Sequence, residues 1–397
     1  ASFQKLKLDY SYDSDGTIIQ QHDVDAFPYP APGQVTLPGM GTPLTYANGS
    51  NPNAPRDNLK QFTEELQLQG KALGNSLTYT IGGFYYEQKP DGEQRGSSVL
   101  YCPPLYTGSA ACPAGQNNYG TSQTSKALYA QATLDMGVLA PALEGLRLTG
   151  GYRYTWDDIS GFSAGFAPQV DGVTAKCNAT SLLVPISTVA TACRFEAELS
   201  STASTWLIGA DYKVTPDIMV FGKVSRGYKS GGFNQLAVFP DTRTFEPETV
   251  TSYEAGVKSE FRIANVPFRL NATGYVLDYN DSQRAGADYN PNSGAGGSVV
   301  RSADAKIQGV ELEASVRPVA GLELGGNFSY TDAKYTRYEF VTPTGQFDCG
   351  GFASPGTTAN LTCLPFQFVA PYIWSAFANA TVPVGNDMGE FNLFVSY

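Results

Sequence analysis

Six cysteines, a knot of cations among glycines and a scatter of loop tyrosines are the residues of this 397-residue chain whose types and spacing could do chemistry. The cations lie in VFGKVSRGYKSGGFNQ, residues 220–235, where Gly227, Gly231 and Gly232 surround Arg226 and Lys229. Unhindered backbone N–H groups beside cations could cradle a phosphate. The spacing argues otherwise: there is no G-x-x-x-x-G-K-[ST] run, no dinucleotide fingerprint, and no amphipathic helix after the glycines. The cysteines lack C-x-x-C spacing and the single histidine, His22, is remote from them in sequence, so a zinc site is not expected. DSDG at 13–16, with Asp23 and Asp25 nearby, lacks the remainder of a calcium loop and reads as solvated. With a single histidine there is no two-histidine motif, and we expect no enzyme and no cofactor.

Composition narrows the class of protein. Charged residues are only 16%, against about 25% in ordinary domains, which argues against disorder. The 42 glycines follow no G-X-Y period, so the chain is not collagen-like. A net charge of −11 makes a nucleic-acid partner unexpected, because phosphate binding needs a basic face. The longest apolar stretch, SLLVPISTVATA, is short and interrupted by Pro185, so no helical membrane span is expected.

The elements that must position these residues repeat with period two. In LRLTGGYRYTWDD, Leu146, Leu148, Gly150, Tyr152, Tyr154 and Trp156 fall on one face, and Arg147, Thr149, Gly151, Arg153, Thr155 and Asp157 on the other. GVELEASV and GLELGGNFSYT alternate in the same way, as do KALYAQATLDM, STWLIGADYKV, SYEAGVKSEF and WSAFANATV. Each run is about ten residues or more, the length that crosses a bilayer at a tilt. Its polar face repeatedly carries charge, and Tyr and Trp gather at strand ends as an interfacial girdle would require. We expect an all-β fold, a transmembrane antiparallel β-barrel with about thirteen strands in this chain.

Connection lengths alternate too. Short links (KALGN, GVLAPALEG, VTPD, RIANVP, RPVAG, PVGND) interleave with long ones near residues 14–60, 88–124, 158–194, 230–246, 280–300 and 335–365. Short periplasmic turns and long extracellular loops give this pattern. Cys102 and Cys112, Cys177 and Cys193, and Cys349 and Cys363 each fall within one long loop. Of fifteen possible pairings, only this one keeps every bridge local and on one side of the membrane. Three structural disulfides in an oxidising compartment are therefore expected.

Three segments in order, VFGKVSRGYKSGGFNQ, FEPETVTSYEAGVKSEF and IQGVELEASVRPVAGLELGGNFSYTDAKY, resemble the barrel of TonB-dependent outer-membrane receptors. FTEELQLQG followed by LTYTIGGFYYEQ resembles an earlier strand pair of the same family, so the likeness covers most of residues 60–335. It implies the outer membrane of a Gram-negative bacterium and a barrel of twenty-two strands around a plug. On that reading residues 1–397 are one barrel domain, incomplete at both ends, with the plug and the TonB-engaging segment expected upstream. The implied function is TonB-energised uptake of a scarce solute, a ferric siderophore foremost, with lipopolysaccharide and TonB as partners. A passive pore and a surface-assembly barrel are the alternatives.

Under the resemblance, Arg226, Tyr228 and Lys229 sit where a strand leaves the membrane, the glycines bend that strand, and the cations face lipopolysaccharide phosphate, plug carboxylates or an anionic ligand. Shaping of the barrel rim is the competing role for the segment. Glu254, Lys258, Glu311 and Glu313 would face the lumen. Tyr101, Tyr106 and Tyr119, with Tyr29 and Tyr46, could stack on a ligand or pack their own loops.

Overall fold

The computed structural model describes residues 2–9, 34–36, 43–45, 56–91, 94–98, 115–168, 174–290, 292, 295–342, 345–385 and 389–397. Among them, thirteen strands hydrogen-bond antiparallel in chain order to form one wall. They are β1 (Ser2–Asp9), β2 (Arg56–Ala72), β3 (Leu77–Pro90), β4 (Gly115–Asp135) and β5 (Leu146–Pro168). Next come β6 (Arg194–Thr215), β7 (Ile218–Lys229), β8 (Glu248–Ile263) and β9 (Val266–Asn290). The series ends with β10 (Ala295–Val319), β11 (Leu322–Arg337), β12 (Tyr372–Pro383) and β13 (Glu390–Ser396). β1 and β13 do not pair with each other, so the described wall is an unclosed section of a barrel. No helix among the described residues is long and apolar enough to cross a membrane.

The period-two pattern sorts side chains between the two faces of this wall. Leu66, Leu128 and Ile208 stand 79%, 63% and 67% exposed on one face. So much apolar surface has no reason to face water, and it forms the lipid-facing side of a membrane barrel. Aromatic residues lie on that side too: Tyr330 and Tyr372 pack with ring centroids 5.2 Å apart and Tyr154 meets Trp156 at 4.7 Å, although Tyr154 and Trp156 fall within β5 and not at its end as expected, because the strand continues beyond them. The opposite, lumenal face carries cross-strand polar pairs. Arg147 pairs with Asp211 at 2.7 Å, Lys223 with Glu254 at 2.9 Å, and Tyr129 donates to Glu65 at 2.6 Å. Such exposed pairs are worth about 0–1 kcal/mol each, so they set the chemistry of the lumen more than its stability.

The short connections close where the sequence places them. Ala264 and Asn265 both have positive φ in the two-residue turn between β8 and β9, the twist that joins antiparallel strands tightly. The long connections differ from the expectation. Much of 115–124, 158–168, 280–290 and 295–300 is strand, because the β4–β5 ladder continues in register to Gln116↔Phe166 and the β9–β10 ladder resumes after a bulge between Tyr279 and Ser282 and runs to Asn290↔Ala295. These stretches lack an apolar face because they stand above the lipid, and pairing of their backbones is sufficient to hold them.

Two expected disulfides are formed, Cys177–Cys193 and Cys349–Cys363; Cys102 and Cys112 lie outside the described residues. The first bridge sits in a small core with Phe166, Ala175 and Val189. The second pins residues 338–366, which pack Tyr338 and Leu361 onto Ala303 and Ala305 of β10. In that loop the Asp348 carboxyl accepts from the backbone N–H groups of Asn360 and Gly350, which hold its pKa below the usual carboxylate value.

Candidate functional site

The segment VFGKVSRGYKSGGFNQ lies where the wall has a notch. β7 has 12 residues and β8 has 16, while their flanking neighbours β6 and β9 have 22 and 25. β6 and β7 stop pairing at Trp206↔Arg226, and β8 and β9 stop at Thr249↔Asn280. Above those points two tall groups, β4–β5–β6 and β9–β10, stand apart.

Residues 230–247 fill the notch by folding inward. Gly231 permits the approach, since a Cβ there would lie 2.5 Å from both Leu199 Cδ2 and the Phe245 carbonyl. The segment then grips both sides. Toward the first group, the Gln235 carbonyl accepts from Ser163 at 2.6 Å and Asn117 at 3.1 Å, while the Gln235 amide donates to Thr121 at 3.2 Å. Toward the second, Asn234 Oδ1 accepts from the Val300 N–H at 2.9 Å and its Nδ2 donates to the Val300 carbonyl at 3.2 Å. One asparagine amide thus occupies the edge of β10 as a partner strand would. Asp288, buried, meets both Thr242 and Arg301. At the tips, Lys176 donates to the Asn292 carbonyl and Asn290 to that of Asn178 at 3.5 Å. Together these contacts make a roof over the lumenal side of the notch.

The predicted residues fall at different places in this arrangement. Arg226 is exposed opposite Trp206, with the parity of Val220 and Val224, on the outer face above the apolar belt. Lys229 is exposed at the end of β7 opposite Glu248. Tyr228 crosses the mouth of the notch, donating to Asp157 at 2.8 Å, so the Ser201 hydroxyl at 2.8 Å donates to it in turn. This tyrosine replaces the missing β6–β7 ladder with a side-chain bridge. Tyr228→Phe leaves a buried carboxylate without that donor and is expected to destabilise the barrel by about 1–3 kcal/mol, measured by urea unfolding of the refolded protein. Tyr119 lies within β4, buried, and not at a loop tip. Tyr29, Tyr46, Tyr101 and Tyr106, and the acidic loop at 13–25, lie outside the described residues. Glu254, Lys258, Glu311 and Glu313 share the polar face, where Glu313 accepts from Asn271 at 3.0 Å. The roof contacts were not legible beforehand, since Asn234 and Gln235 reach partners 66 to 118 residues away and no local pattern marks them.

An unclosed antiparallel wall with an apolar outer belt, a polar lumen and inward-folded outer segments defines a transmembrane β-barrel of the outer-membrane receptor class. The profile of the family described as TonB dependent receptor-like, beta-barrel matches residues 2–393, and the chain belongs to that family. Its place is the outer membrane of Gram-negative bacteria. The metal-pseudopaline receptor CntO of Pseudomonas aeruginosa, in strains UCBPP-PA14 and PAO1, is 30% identical over 140 residues, which are 35% of this chain and 18% of that protein. The ferric yersiniabactin uptake receptor FyuA from Yersinia pestis superposes with a TM-score of 0.56 at 16% identity, covering 86% of this chain and 46% of FyuA, a likeness of fold. The chain therefore spans less than half the length of either relative.

Proposed function

We propose that this barrel belongs to a receptor that captures a metal chelate, a ferric siderophore foremost, and imports it with energy delivered through TonB. The observation that carries the reading is the roof. Residues 230–247 fold inward across the lumenal side of the notch and bind both tall strand groups, which suits a captured solute and not the open bore of a passive pore. Relatives named for a metal–pseudopaline ligand and for ferric yersiniabactin uptake support a metal chelate as cargo. In this reading a plug and a TonB-engaging segment belong to the full-length protein, and ligand binding favours a plug state on which TonB acts. Arg226, exposed on the outer face above the apolar belt, would meet lipopolysaccharide phosphate.

Uptake of radiolabelled iron, copper, nickel and zinc chelates by metal-starved cells tests this. Deletion of the gene is expected to abolish import of at least one chelate, and loss of TonB should reproduce the defect. Unchanged import of every chelate tried would overturn the reading. Phe347 and Phe352, paired across the hairpin near the second disulfide and both exposed, favour a second role in surface association. Replacing Phe347 and Phe352 together by Ser would abolish association and spare uptake if that role holds.

A further inference from the structure

Four lumenal rings each lie across a glycine directly opposite on the neighbouring strand. Tyr129 of β4 faces Gly82 of β3, Phe221 of β7 faces Gly256 of β8, Tyr275 of β9 faces Gly309 of β10, and Phe377 of β12 faces Gly325 of β11. Tyr129 bonds the lumenal Glu65, while Phe221 has the parity of Lys223, Tyr275 that of Asn271 and Phe377 that of Ser375, all on the polar face. The rings occupy the space that a side chain would need. A Cβ on Gly256 would lie 2.8 Å from Phe221 Cε1, one on Gly309 2.8 Å from Tyr275 Cζ and one on Gly325 2.6 Å from Phe377 Cε1, and one on Gly82 would collide with the Tyr129 ring. A ring laid over a strand glycine restores the packing that the missing side chain gives up.

All four pairs fall in ladders joined on the outer side: β3–β4, β7–β8, β9–β10 and β11–β12. Among the described residues, no ladder joined by a short turn has such a pair on its lumenal face; the Gly70–Tyr79 and Gly120–Phe162 pairs have the parity of the outer face. Of the other outer-joined ladders, β1–β2 contains no glycine where it pairs, and the connection of β5–β6 is shortened by the Cys177–Cys193 bridge. The selection follows from how register is set. A tight turn such as Ala264–Asn265 fixes which residues face each other, whereas connections as long as 91–114, 230–247 and 338–371 leave the choice open. In β9–β10 the bulge between Tyr279 and Ser282 separates the lower ladder from its outer turn, with the same effect. A slip of one residue would turn the apolar face inward, so lipid opposes it. A slip of two preserves the alternation, and lipid does not. The rings do: after such a slip Phe221 would meet Glu254 or Lys258, Tyr275 would meet Ile307 or Glu311, and Phe377 would meet Glu323 or Asn327, each with a side chain in place of the glycine.

We propose that these four glycine–aromatic pairs are register locks. They fix the pairing of hairpins whose outer connections cannot, so those connections are free to change conformation, or to fold inward as residues 230–247 do, without the spanning strands slipping beneath them. The device is independent of the receptor reading and would serve a barrel of any cargo.

Disulfide capture in the full-length protein folded into phosphatidylcholine vesicles reads the register of β11–β12. Leu324→Cys is combined with Ala378→Cys, its partner in the structure, or with Ala376→Cys or Ala380→Cys, its partners after a slip of two. Mass spectrometry of the oxidised peptides separates these bridges from the native ones, and heat-modifiable gel migration selects folded protein. With Phe377 in place, bridging to position 378 should dominate. Phe377→Ala should raise bridging to position 376 or 380 about ten-fold or more, and Phe377→Tyr, which keeps the ring, should leave the pattern unchanged. Phe377→Leu, apolar but without a ring, takes the place of Phe377→Ala if that variant does not fold. A folded variant without the ring that is less stable in urea yet bridges only to position 378 would overturn the lock and leave the ring a packing role.

Discussion

Asp288→Ala is expected to open the roof locally by about 3–5 kcal/mol, the penalty of removing one partner from a buried ion pair. The Asp288 side chain is 0% exposed and that of Arg301 10%, so the stranded guanidinium gains little help from water. The same change takes away the acceptor for Thr242, the point where residues 230–247 meet β9. Hydrogen exchange at the Val300 amide reads the result, because its donor is held by Asn234 of the same segment. That exchange should quicken by about two to four orders of magnitude, the Boltzmann equivalent of the expected destabilisation. Asp288→Asn combined with Arg301→Met should recover most of the loss, since it removes both charges together. Unchanged exchange in Asp288→Ala would refute the coupling between this pair and the roof.

Leu312→Arg should destabilise the barrel by about 2–4 kcal/mol, the depth-dependent penalty for a cation on the lipid face. Leu312 lies on the outer side between Ala272 of β9 and Phe328 of β11, below the Tyr330 girdle. Glu313→Arg, one residue on, points into the lumen and should cost under about 1 kcal/mol, as exposed polar exchanges do. Urea titration of the full-length protein folded into phosphatidylcholine vesicles gives both values. The contrast between adjacent residues is the informative quantity. Equal losses would mean that both faces meet the same medium, and the assignment of lipid and lumen would fail.

Much of this architecture is legible in the sequence because lipid enforces a period of two. Leu146 to Trp156 and Val310 to Val316 alternate without interruption, and the structure places each set on one face of the wall. The Cys177–Cys193 and Cys349–Cys363 pairings are likewise readable, since a bridge between cysteines 16 or 14 residues apart within one loop needs no knowledge of the fold. Above the membrane the constraint disappears. GQNNYGTSQTS, residues 115–125, has no apolar face and reads as loop, yet it is strand because β5 supplies a register partner for most of it. Arg284 is illegible in the sequence for a related reason. DSQRAGADYN shows no motif, and only the fold brings it opposite Arg301 and beneath Phe366.

The notch between β6 and β9 has a kinetic consequence. A continuous ladder opens only by unzipping, whereas the tall strands on either side of the notch are joined through residues 230–247 by a few side-chain contacts. Those contacts can part without disturbing a single ladder bond in the membrane. The two halves of the outer mouth should therefore separate in microseconds to milliseconds, as loop and hinge motions do, while the spanning strands exchange only on global unfolding.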